Sequence, residues 1–88
     1  MINITDVRVK VLETDSKVRA IASITIDSCF VVHEIKVIDG KNGLFVIMPG
    51  KKAADGSFKD VAHPLDPETR TLIQETVLGA YRRANAAE

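Results

Sequence analysis

The chain has 88 residues, 45% of them apolar and 27% charged, and this mixture argues against both a disordered segment and a fibrous repeat. Twelve basic and twelve acidic residues cancel, so the molecule has no net field that would draw it to nucleic acid or to an anionic membrane. Any such binding must come from local clusters. No apolar run approaches the ~20 residues of a membrane span, and the first residues lack the basic start and apolar stretch of a secretory signal. We expect one cytoplasmic domain over residues 1–88.

Alternating apolar and polar residues predict the first two strands. Between residues 2 and 12 valines alternate with basic residues, which is the period of a half-buried strand. Residues 13–17 are polar and turn-prone, and every second residue from Val18 to Ile26 is then apolar on one face. These two segments predict a first hairpin.

Two further strands follow. Asp27 and Ser28 are typical of a tight turn, and the run from Phe30 to Ile38 is rich in β-branched residues on both faces, which is typical of a strand at the centre of a sheet or at an interface. Residues 39–43 supply the glycines and the asparagine of a second turn. The fourth strand, 44–48, ends at Pro49, which cannot donate to a ladder.

The last third of the chain predicts a hairpin and a helix. Residues 50–57 form a loop, and residues 58–62 form a short return strand, so that the loop becomes a hairpin tip. Asp66 suits the N-cap, Pro67 the first helical position and Glu68 the positive end of the helix dipole. The helical face expected to cover the sheet consists of Thr69, Ile73, Thr76, Val77, Ala80 and Ala84, with Leu72 and Tyr81 at its margins. Residues 86–88 should fray. The prediction is an α+β fold, with an antiparallel sheet of about four to five strands and one C-terminal helix.

Few residues suit catalysis or metal binding. Cys29 is the only cysteine, and we interpret it as a small buried residue in preference to a reactive thiol. The two histidines lack the close spacing of a metal motif. His33 would have its neighbour Glu34 on the opposite face of a strand, so we interpret it as structural, and the ring of His63 should hold the turn at Pro64 by a hydrogen bond. We therefore expect no enzyme activity, no metal and no small-molecule cofactor.

Two groups of basic side chains stand out against the neutral whole. They are Lys51, Lys52 and Lys59 on the predicted hairpin, and Arg70, Arg82 and Arg83 on the predicted helix. Taken alone, these clusters favour an ordinary solvated surface, because arginines in a last helical turn complement the dipole. The sequence also lacks the aromatic-rich sheet face on which RNA-recognition modules stack bases.

The central stretch changes this balance. FVVHEIKVIDG at residues 30–40 and GLFVIMP at residues 43–49 occur in order, DGSFKDVAHPL follows at residues 55–65, and ITDVR opens the chain at residues 4–8. Together these segments closely resemble the SpoVG family of bacterial regulators, and the resemblance covers essentially the whole chain. It implies a small dimeric protein with an antiparallel sheet and a C-terminal helix, which binds DNA and also RNA in connection with septation and sporulation.

The resemblance also bears on the basic residues. After Met-Pro the family typically has Ser-Lys-Arg, whose basic pair is associated with nucleic-acid contact, and here the segment is Gly50-Lys51-Lys52. Lysine at position 52 keeps the charge but lacks the planar fork that pairs bidentately with guanine, so phosphate contact is the expectation. Lys59 stands where the family carries a basic residue, whereas the helical arginines lie in a more variable segment.

Two hypotheses follow. The first is a homodimeric nucleic-acid-binding regulator, in which the hairpin lysines contact phosphates of DNA or RNA and the arginines contribute less. The alternative is an adaptor that binds the division or transcription machinery through exposed strand edges. Dimerisation is expected by strand pairing near the segments 30–38 and 44–48, because a chain this small can hardly cover its open sheet edges alone.

Overall fold

Six strands and one helix follow one another in the computed structural model, which describes residues 2–13 and 15–86. The elements are β1 (Ile4–Val11), β2 (Val18–Ile26), β3 (Phe30–Gly40), β4 (Gly43–Ile47), β5 (Gly50–Lys52), β6 (Phe58–Asp60) and α1 (Pro67–Ala86). Strands β1 to β4 form an antiparallel sheet in chain order, and β5 pairs with β6 in a separate two-stranded sheet. The predicted α+β fold is confirmed. The return strand, however, pairs with β5 and does not join the main sheet.

The β2–β3 turn corrects the interpretation of Cys29. Asp27 and Ser28 have φ values of 51° and 55°, as in the primed turns that suit two-residue hairpin loops. The backbone amide of Cys29 donates to the carbonyl of Ile26 at 3.1 Å and so closes the turn. Because it lies at the end of the hairpin, beyond the part of the sheet that the helix covers, Cys29 is exposed and not buried as predicted.

A bulge in β3 corrects the interpretation of His33 and Glu34. Ala22 pairs with Ile35 and Ile24 pairs with Val32, so two residues of β3 lie opposite the single Ser23. Glu34 takes up the extra length with φ of 62°. Side-chain alternation is therefore broken, and His33 and Glu34 line the same depression on the outer face of the sheet. The expectation that they face opposite sides is wrong, and His33 is exposed.

The helix begins with the predicted cap. The Asp66 carboxylate accepts the backbone amide of Thr69 at 2.7 Å and its hydroxyl at 3.0 Å. These hydrogen bonds lower the pKa of Asp66 below its ordinary value, and the bond from the backbone amide has the larger effect. The helix continues to Ala86, and residues 87–88 of the end predicted to fray lie outside the described residues.

One face of the sheet meets the helix in the core. The buried side chains are Ala20, Ala22, Ile24, Ile35, Val37, Ile73, Val77, Leu78 and Tyr81. The prediction included Ile73 and Val77 but placed Tyr81 at the margin and omitted Leu78. Leu78 and Tyr81 thus belong to the buried stripe of α1, which lies closest to β1. No helix in the described part of the chain has the length and apolarity that a membrane span needs.

Candidate functional site

Strands β5 and β6 form a short hairpin, residues 50–60, which we call the basic ribbon. The amide of Ala53 donates to the carbonyl of Ser57 at 2.7 Å, and Gly56, with φ of 89°, donates to the carbonyl of Ala53 at 3.0 Å. At the base of the ribbon the amide of Val61 donates to the carbonyl of Pro49 at 2.8 Å. The predicted hairpin is confirmed, but Gly50–Lys52, predicted as loop, is a strand.

The acidic residue at the tip is committed to the turn. One carboxylate oxygen of Asp55 accepts the hydroxyl of Ser57 at 2.6 Å and its backbone amide at 3.0 Å. These hydrogen bonds lower the pKa of Asp55 below its ordinary value, and the bond from the hydroxyl has the larger effect. The charged carboxylate therefore stabilises the turn. Within residues 2–13 and 15–86, the ion pairs are Arg8 with Asp6 and Arg19 with Asp39, and none includes a lysine of the basic ribbon.

The register divides the three lysines between two faces. Lys51 lies directly opposite Lys59, whereas Lys52 lies opposite Phe58 and Gly50 opposite Asp60. Opposed residues of an antiparallel pair share a face, and successive residues alternate. One side of the ribbon, which we call the lysine face, therefore carries Lys51 and Lys59. The other, the aromatic face, carries Lys52, Phe58 and Asp60. All of these side chains are exposed.

The helical arginines do not form one group with the ribbon. Arg70 lines a shallow depression together with Met48 and Pro64, close to where the ribbon leaves the rest of the fold. Arg82 and Arg83 are exposed about 18 Å further along the helix, at 1.5 Å per residue. The structure thus brings Arg70 toward the base of the ribbon and separates it from the other two.

Comparison with known proteins identifies the family. The SpoVG family model matches residues 2–83. The chain belongs to the SpoVG family. Among its SpoVG relatives, the protein of Listeria monocytogenes that bears the name septation protein SpoVG 2 is 58% identical over 97% of this chain and 83% of its own length. A SpoVG of Oceanobacillus iheyensis is 55% identical over 97% of this chain and 88% of its own. A SpoVG of Lachnospira eligens is 52% identical over 98% of both.

Phe58 is a surface residue of this SpoVG chain that the sequence pattern did not indicate. The return strand predicted over residues 58–62 is β6, Phe58–Asp60, and the side chain of Phe58 is 74% exposed. The sequence signal that could have indicated its exposure is the pair of charged residues that follows it: β6 has three residues, Phe58, Lys59 and Asp60. So short a strand has no second apolar residue with which to build a buried face.

The two histidines have different surroundings. The Nδ1 atom of His63 lies 3.0 Å from the carbonyl oxygen of Pro64, so the predicted hydrogen bond at that turn is confirmed. His33 lies on the outer face of the sheet, apart from the turn that holds His63. Among the described residues, no three side chains of His, Cys, Asp or Glu are arranged to hold a metal ion.

Proposed function

We propose that this SpoVG chain is a nucleic-acid-binding regulator that contacts phosphates through the basic ribbon. The names of its relatives connect the family to septation, and we extend that connection, together with sporulation-linked gene expression, to this chain. The function proposed is binding and not catalysis. The protein acts on DNA, RNA or both.

One observation supports the proposal above the others: Lys51 and Lys59 are directly opposed in β5 and β6. Like charges in that position disfavour the sheet pairing. The nearby Asp55 is bound to Ser57 in the turn, and no ion pair in the described chain offsets either lysine. A phosphate oxygen between the two ammonium groups would remove the repulsion and gain two charge-assisted hydrogen bonds.

The shape of the ribbon suits this role. A two-stranded β-ribbon fits the major groove of duplex DNA, whose width is about 12 Å. Lysine contacts phosphates as a compact point charge, so the contacts position the protein without reading the bases. Arg70, near the base of the ribbon, is the helical residue best placed to extend the contact. Arg82 and Arg83 are the more distant candidates.

The proposal is tested by anisotropy titrations of labelled DNA and RNA pools at several salt concentrations. Binding should weaken steeply with salt on every pool, because neutralised phosphates release counterions. The protein has no net charge, so long-range attraction is small and the affinity should be modest. If no pool binds at low salt, the adaptor hypothesis takes the place of this one.

A further inference from the structure

The aromatic face of the ribbon holds an exposed ring among charges. Phe58 is 74% exposed and lies directly opposite Lys52, with Asp60 further along the same face. Cross-strand neighbours have Cβ atoms about 4.5–5.5 Å apart, so the side chains of Lys52 and Phe58 start side by side on this face. On the opposite side of the same short strands lie Lys51 and Lys59. The ring is therefore an exposed apolar surface with one cation, Lys52, on its own face and two more on the other side of the same ribbon.

The backbone beneath the ring leaves it room. A Cβ atom built on Gly50 would lie 3.6 Å from Cδ1 of Phe58 and 3.2 Å from the carbonyl oxygen of Lys59. One edge of the ring thus packs over the bare backbone of Gly50, while most of its surface meets solvent. This packing restrains the ring and leaves its other side open to solvent.

We propose that Phe58 is a stacking platform for an unpaired base of single-stranded nucleic acid, with Lys52 beside it on an adjoining phosphate. This inference rests on the proposed nucleic-acid binding and specifies which form of nucleic acid the aromatic face accepts. Proteins that hold single strands combine cations along the backbone with aromatic rings on which bases stack, and every base offers a π-face for such a ring. A protein partner that covered the ring would have to desolvate Lys52 as well.

The test compares single-stranded and duplex probes with Phe58 variants. F58A should weaken binding of a labelled oligodeoxythymidine about 5- to 150-fold, as loss of one base stack does. Binding of a hairpin duplex, and of the same single strand with abasic sites, should stay unchanged. The oligouridine counterpart should show the same loss, because the ring contacts the base and not the sugar. The salt slope on the single strand should also stay unchanged, since no cation is removed.

Two further variants separate stacking from simple apolarity. F58W keeps the aromatic plane and should bind like the natural chain, and F58L keeps the apolar bulk but should bind like F58A. Because the natural chain has no tryptophan, F58W also introduces a single indole, which can be excited apart from Tyr81 and whose emission should change when the single strand is added. F30A is the matched control, since Phe30 is also an exposed phenylalanine but belongs to the four-stranded sheet.

The outcomes distinguish this inference from the function on which it rests. If the natural chain binds no oligonucleotide, both proposals fall. If it binds with a steep salt dependence but F58A leaves single-strand binding unchanged, the stacking platform alone is wrong. Equal losses of F58A binding to the single strand and to the duplex would also overturn it. So would a loss of binding that is accompanied by changed self-association in sedimentation, since Phe58 would then belong to a contact between copies.

Discussion

Removal of the opposed lysines tests how the ribbon contacts a duplex. Lys51→Ala with Lys59→Ala deletes both cations of the lysine face and leaves Lys52 in place. Each phosphate contact on duplex DNA contributes ~0.9 to the slope of log affinity against log salt. The double variant should therefore lower that slope by about 1.8 for each ribbon on the duplex, or about 3.6 if two ribbons of a dimer engage it. Affinity should fall on all sequences alike.

A second pair of lysines shows whether the face matters. Lys51→Ala with Lys52→Ala removes one cation from each face, so the slope should fall by only about 0.9 if the duplex touches the lysine face alone. Lys17→Ala with Lys41→Ala removes the same total charge from exposed turns elsewhere and serves as the control. These comparisons require anisotropy titrations of one hairpin duplex at four or more salt concentrations.

The same double variant should leave the fold intact. Removing two opposed like charges should leave the free energy of unfolding within roughly 0.5 kcal/mol or raise it slightly, because exposed substitutions cost little and the repulsion is relieved. Urea denaturation measures this change. A slope that stays unchanged, or that falls equally in the Lys17 and Lys41 control, would refute the assignment of phosphate contacts to the ribbon.

Three further predictions concern folding and assembly. The left-handed φ of 62° at Glu34 is unfavourable for a residue with a side chain, so Glu34→Gly should leave the free energy of unfolding unchanged or raise it by up to about 1 kcal/mol. Lys36→Gly, in the regular part of β3, should lower the free energy of unfolding by about 0.5–1 kcal/mol. Urea denaturation compares the two variants, and equal losses would contradict the bulge. Because the folded pKa of Asp66 is lowered, its contribution to stability is present above the ordinary aspartate pKa and is lost as the pH falls below about 4. Asp66→Asn should therefore flatten the acid limb of a melting-temperature series, and an unchanged limb would count against the cap. We also propose that two copies pair through the free edge of β4, and a monomer persisting at micromolar concentration in sedimentation equilibrium would exclude this.

The main elements were predictable because their signals are local. Period-two alternation marked β1 and β2, and the Asp66-Pro67-Glu68 start marked the helix. The pairing of Lys51 with Lys59 also agrees with the predicted hairpin. Such features depend on residues close in sequence, so neither the rest of the fold nor a partner has to be known.

Features set by strand register and turn geometry were missed. The bulge at Glu34 depends on how β3 registers against β2, and a strict alternation of side chains assigned the wrong face there. The exposure of Cys29 follows from the turn geometry at Asp27 and Ser28. The division of the ribbon lysines required the register of β5 on β6, which a sequence pattern of two adjacent lysines does not contain.

The order of strands in the sheet limits which strand could form the proposed pairing between two copies. Both segments expected near a dimer contact, 30–38 and 44–48, are strands, but β3 is paired on both sides by β2 and β4. Of the two, only β4 has a free edge, and its outward side chains Phe45 and Ile47 are exposed. The proposed contact between two copies therefore involves β4 and not β3.

The central claim, that the ribbon is where nucleic acid binds, is tested most directly by amide chemical shifts of the isotopically labelled protein during titration with an oligonucleotide. We expect the largest shifts within residues 50–60, with smaller ones near Arg70 and none at the β2–β3 turn. Shifts concentrated at Arg82 and Arg83 with an unchanged ribbon would contradict it, as would an unchanged spectrum at low salt.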